Sequence, residues 1–222
     1  MNFWKQFPPA TCFPDNCNCE FIQDAFIAQP SAFWSSLSFF IFAIVFYRSI
    51  EKKSVALKLW FFSFCLLGFA SHFAHASFIE PALALDFAGI VLVMSFFFIL
   101  KWLSRWTKSL LPLLALLMLY TASLWFAFYS LEKWFKVGLC VLVFALAMGE
   151  IVHSQSKALL NAKDLHRAIA VIFISFGLFL FDELKVNCNP YSVIQGHSFW
   201  HIGAALSIFF YGKWRFQSAP EI

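Results

Sequence analysis

Two histidines stand one helical turn apart in "QGHSFWHIGAALSIFF", residues 195–210, at the head of an otherwise apolar run. At i and i+4, His197 and His201 share one face of a helix, where two imidazoles can hold a single metal ion as in the helical zinc motif. A third ligand from another helix completes a site whose fourth tetrahedral position stays open for water or substrate. "GFASHFAHAS" offers that ligand in His75, with Ser71 four residues earlier on the same face, and Asp86 follows in "ALALDFAG". His72 is expected to face elsewhere. A hydroxyl and a carboxylate beside a Lewis acid suit hydrolysis: the carboxylate can move a proton and the hydroxyl can meet developing negative charge. A single histidine in an apolar segment is ordinarily a helix–helix hydrogen-bonding residue, since an unpartnered buried imidazole is costly. Three at one depth are better accounted for by a metal. Haem, the competing cofactor, would take one histidine from each of two helices. It leaves Ser71 and Asp86 without a reason.

The elements that must position these residues are membrane spans. The chain of 222 residues is 61% hydrophobic and 21% aromatic, and only 13% of it is charged. A soluble domain carries roughly 25% charged residues, so this composition cannot build a water-facing surface. A net charge of +4, scattered along the chain, gives no footprint for nucleic acid. Apolar runs of about 20 residues, enough to cross ~30 Å of hydrocarbon, predict an all-α bundle of seven transmembrane helices in a single domain, residues 1–222. The expected spans are 31–49, 58–77, 83–100, 109–128, 135–154, 166–184 and 195–213. The N-terminus "MNFWKQFPPATCFPDNC" lacks the charged-then-apolar pattern of a signal peptide, so the first span is expected to be retained.

Basic residues orient the bundle. Of the 16 lysines and arginines, Lys5, Lys133, Lys136 and Lys185 lie on one side and all the others on the opposite side or at its span ends. The N-terminus is therefore expected outside and the C-terminus in the cytoplasm. Cys12, Cys17, Cys19 and Cys188 then face the outer side, where disulfides persist. A Cys19–Cys188 bridge is one of several pairings that spacing alone leaves open. "CNCE" has no second cysteine pair to make a zinc ribbon, and Cys65 and Cys140 read as small packing residues within spans. Ser71, His75, Asp86, Asp182, Glu183, His197 and His201 all fall at the outer ends of their spans, which places one polar site at one level. Ionisable groups at membrane depth face a cavity or one another. Glu150 and His153, at the other end of the fifth span, receive a structural reading.

The order Ser71-x3-His75-x10-Asp86, followed by His197-x3-His201 in the last span, resembles the alkaline ceramidases. These belong to a superfamily of seven-helix membrane hydrolases that includes adiponectin-receptor-like proteins. The resemblance runs from "CEFIQDAFIAQPSAFWSSLSFF" through "SHFAHASFIEPALALDFAG" to "FDELKVNCNPYSVIQGHSFWHIGAA". It implies zinc held by His75, His197 and His201, with Ser71 and Asp86 as catalytic helpers. It also implies a calcium site around the dipeptide Cys19-Glu20. Here Cys17, Asn18 and Ile22 flank that dipeptide, and "AQPSAFW" lacks the family's acidic residue, which counts against calcium at Glu20. These departures look more like the bacterial branch, so a bacterial inner membrane is expected before an endomembrane, with the zinc toward the non-cytoplasmic side. The implied activity is zinc-dependent cleavage of the N-acyl amide of a ceramide-like lipid that enters from the bilayer. The alternative is a seven-helix receptor or lipid-binding protein that keeps a structural zinc.

Overall fold

Helix boundaries follow the punctuation of the sequence. In the computed structural model, which describes residues 3–10, 19–132, 135–136, 138–139, 141–145, 149, 162–186 and 188–218, a 3₁₀ turn at Phe3–Gln6 precedes the helices. These are α1 (Pro30–Ser35), α2 (Leu37–Ser49), α3 (Val55–Ser77), α4 (Glu80–Leu103), α5 (Leu110–Ser130), α6 (Ala162–Glu183) and α7 (Gly196–Ser218). Residues 135, 136, 138, 139, 141–145 and 149 are helical as well. Ser54 caps α3 by accepting from the Leu57 amide at 3.2 Å, the arrangement that serines favour at helix starts. That helix ends at Phe78, whose left-handed backbone (φ 49°) turns the chain at once into α4. The β content of the described residues is one isolated antiparallel bridge, Pro9 to Ile79.

Among the described residues, five helical segments are long and apolar enough to cross a membrane: Pro30–Ser49, Val55–Ser77, Glu80–Leu103, Leu110–Ser130 and Lys163–Glu183. The first comprises α1 and α2, joined at Ser36. The last helix, α7, is 23 residues long, which gives about 34 Å at 1.5 Å per residue. Its histidines and its Lys213 and Arg215 leave it less apolar than the other five. Half of the expected span 135–154 lies outside the described residues, as do Cys12, Cys17, Cys140, Glu150 and His153. The chain is a multi-pass helical membrane protein. Its helices run a few residues past several of the expected boundaries, as in Glu80–Leu103 against 83–100.

Two helices organise the packing. α3 lies against α1, α2 and α4, and α7 lies against α1, α2 and α6. Glycines let α6 and α7 approach most closely. A β-carbon on Gly203 would meet Ser175 Oγ at 1.6 Å, and one on Gly196 would meet the Leu178 carbonyl at 2.5 Å. Small residues at such crossings are how membrane helices gain contact where no hydrophobic force draws them together. The core between α2, α3, α4 and α7 is aromatic, with Phe46, Trp60, Phe64, Phe96 and Trp214 fully buried. The antiparallel order brings the ends of α3 and α6 and the starts of α1, α4 and α7 to one end of the bundle. That end carries the histidines.

Candidate metal centre

The helical spacing in α3 and α7 puts three imidazoles in one place. The ring centroids of His75, His197 and His201 lie 4.6–4.9 Å apart, and one potential ligand atom from each lies within 4.8 Å of the others. His75 Nε2 and His197 Nε2 are 3.3 Å apart. Two nitrogens each about 2.0–2.1 Å from a tetrahedral zinc stand roughly 3.3 Å from one another, so the spacing suits one ion. Among the described residues this is the one cluster of three or more histidine, cysteine or acidic side chains able to hold a metal.

The outward-facing nitrogens decide what the inner ones can do. Gln29 Oε1 lies 2.7 Å from His75 Nδ1, and the Ala32 carbonyl lies 3.0 Å from His201 Nδ1, with Ser35 Oγ at 2.9 Å. An amide oxygen only accepts, so each Nδ1 carries the proton and donates. Each Nε2 is then a lone pair turned inward, the tautomer a metal requires. Burial is nearly complete, with His75 4% and His201 2% exposed. Phe179 flanks the His197 ring with centroids 5.4 Å apart.

Ser71 and Asp86 stand against this cluster. Ser71 Oγ is 3.4 Å from His201 Nε2, and the same hydroxyl bonds the Asp86 carboxylate. Both side chains are buried. The five expected residues are therefore contiguous. His72, as expected, points away from the cluster: its Nδ1 lies 3.0 Å from the Phe33 carbonyl and 2.9 Å from Ser36 Oγ, and its ring lies against Phe33.

Two further acidic residues near the site, Asp182 and Glu20, serve the backbone. Asp182 Oδ1 accepts from the Gly196 amide at 2.9 Å and Oδ2 from the Cys19 amide at 3.2 Å, which caps α7 and ties it to the N-terminal segment. Of the pairings the spacing leaves open, a Cys19–Cys188 disulfide is present, and Cys65 is a free, half-buried thiol. Glu20, the residue weighed for calcium, directs its two oxygens at the Ser31 and Ala32 amides, at 2.5 and 3.1 Å. Burial pushes the Glu20 carboxyl up from its ordinary value, the two amides oppose that shift, and nearby Asp182 adds to it. Gln29, Ala32, Ser35 and the capping work of Glu20 escaped sequence reasoning. Their signal in "AQPSAFWSS" is weak, because glutamine and serine are common at membrane helix ends.

Fold and site together define a helical membrane protein with a buried three-histidine centre. No family model matches the chain, and no match is found among curated proteins or solved structures.

Proposed function

We propose that this protein is an intramembrane zinc-dependent amidohydrolase. It cleaves the N-acyl amide of a ceramide-like sphingolipid, or a related N-acyl lipid, to a free fatty acid and a sphingoid-type amine. The observation that carries the reading is the directed chemistry of the cluster. Two imidazoles have their outer nitrogens protonated by fixed acceptors and their inner nitrogens turned toward the third ligand, with a serine–aspartate pair alongside.

His75, His197 and His201 would hold the zinc, which supplies Lewis acidity that polarises a carbonyl and eases ionisation of water near neutral pH. Asp86 accepts a proton from the attacking water and delivers it to the nitrogen as the C–N bond breaks. Ser71 has one hydroxyl proton, and in the resting site it goes to Asp86. Once Asp86 is protonated it accepts that proton more weakly, and the hydroxyl can turn toward the developing oxyanion. The acyl chain enters sideways from the bilayer between apolar helices. In the full reading the bundle has seven spans, with the N-terminus outside, the C-terminus in the cytoplasm of a bacterial inner membrane, and the site toward the non-cytoplasmic side. A cysteine introduced beside Lys185 is then labelled from outside by an impermeant reagent, and one beside Lys53 is not.

The deep burial of His75 and His201 also favours a second reading, a receptor or lipid-binding protein with a structural zinc. Metal analysis of the purified protein, combined with turnover on a mixed panel of N-acyl lipids, separates the two. About one zinc per chain with fatty-acid release supports the hydrolase. Zinc without release from any lipid supports the receptor.

A further inference from the structure

We infer that Glu20 is a positioning residue for the metal centre, acting through the short helix α1, which with its cap residue Gln29 holds the imidazoles of His75 and His201. The inference rests on reading the three histidines as a metal site.

The accounting at the start of α1 is complete. A helix leaves its first amides without partners inside the helix. The first residue of α1, Pro30, has no amide proton to satisfy, and the Phe33 amide already bonds the Gln29 carbonyl at 2.9 Å. Only the Ser31 and Ala32 amides remain, and the two oxygens of Glu20 take one each. The Gln29 side chain forms no cap bond of its own, because its Oε1 is turned to His75. A carboxylate also suits this place, where the helix dipole presents positive charge.

Three residues around that cap touch the ligands. Gln29 Oε1 fixes the His75 tautomer, and the Ala32 carbonyl and Ser35 hydroxyl bracket His201 Nδ1. Ser31 Oγ reaches α7 itself, 2.6 Å from Ser198 Oγ. Gln29 is 1% exposed, and its backbone amide donates to the His75 carbonyl at 3.0 Å, so the segment is pinned against α3 as well. The adjacent Cys19 ties Glu20 to the loop before α7 through the bridge to Cys188, and its amide donates to Asp182. Glu20 is thus anchored on one side by a covalent bond and on the other supports the turn that orients two of three ligands. Loss of such outer contacts typically costs 10–100-fold in metal affinity.

The test uses the full-length protein in detergent, stripped of metal and titrated with Co²⁺, whose visible absorption reports ligand geometry. Glu20→Gln keeps the shape but sets an NH₂ group against an amide donor. It should weaken Co²⁺ binding about tenfold and alter the absorption bands, and Gln29→Leu should weaken it by about 10–100-fold. The double variant should cost less than the product of the two, because both changes act through one element. A Glu20→Gln protein that elutes like wild type and keeps its Co²⁺ affinity and spectrum overturns the inference. If that variant does not fold, Gln29→Glu decides. A carboxylate facing His75 Nδ1 should tighten Co²⁺ binding and shift the bands, and no change there overturns the inference equally. Calcium addition should leave wild-type Co²⁺ affinity unchanged, whereas a calcium effect lost in Glu20→Gln would reassign the residue to a calcium site. A wild type that binds Co²⁺ but releases no fatty acid defeats the hydrolase reading alone, and a wild type that binds no Co²⁺ defeats both.

Discussion

The two ends of the bundle are held by different physics. At the histidine end, His75 and His201 each have an acceptor at the outer nitrogen, and Glu20 and Asp182 answer specific backbone amides. At the other end, Trp60 packs on Phe96 and Phe97, Tyr211 packs on Trp214, and the Arg215 guanidinium sits 4.6 Å from the Phe97 ring centre. There the indole nitrogens of Trp60 and Trp214 are buried with no hydrogen-bond partner in the structure, as are Gln29 Nε2 and Glu183 Oε2 at the histidine end. Each such group forfeits about 1–3 kcal/mol of hydration. Directional bonds fix the orientation of a ring, while ring packing fixes volume and lets rings adjust. A metal centre needs the first, and a structural plug needs only the second.

That contrast can be broken most severely at the ligands. His197→Ala with His201→Ala should remove essentially all bound metal, leaving one of three ligands, while the aromatic end keeps the chain folded. Elemental analysis of monodisperse protein checks this, and full occupancy in the double variant would move the site elsewhere. Next in size is Asp86→Asn, which keeps shape and should keep the metal. If Asp86 moves the proton, fatty-acid release should fall by about 10²–10⁴. Undiminished turnover would discard this mechanism and keep the metal centre.

Trp60→Ala opens a cavity in the aromatic end and should cost roughly 3 kcal/mol of stability, read as a lower unfolding midpoint in detergent. Metal content should not change, and metal loss would mean that the two ends are coupled. Gly203→Ala lies between the extremes, since its new β-carbon overlaps Ser175. It should separate α6 from α7 at a cost of about 1–3 kcal/mol. The smallest expected effect is His72→Ala. That ring bonds Phe33 and Ser36, away from the cluster, and metal content should stay at the wild-type value.

Much of this protein is settled by its sequence alone. Composition selects the membrane, because 13% charged residues cannot cover a soluble surface. Helical periodicity pairs His197 with His201 and Ser71 with His75, since residues four apart share a face whatever surrounds the helix. Span counting is weaker: α7 carries enough polar residues to fall below its neighbours in apolar character, and its two histidines, part of that polarity, are the site itself. Three-dimensional packing decides the rest. Which acceptor meets each imidazole depends on Gln29 and Ala32, 46 and 169 residues from their partners. Nothing local in "AQPSAFWSS" encodes that meeting. The role of Glu20 is likewise tertiary, because a carboxylate can bind a cation or cap a helix, and only the position of the Ser31 and Ala32 amides selects between them. Local periodicity is written in the order of residues, whereas the protonation state and aim of a buried ring are set by whatever the fold brings against it.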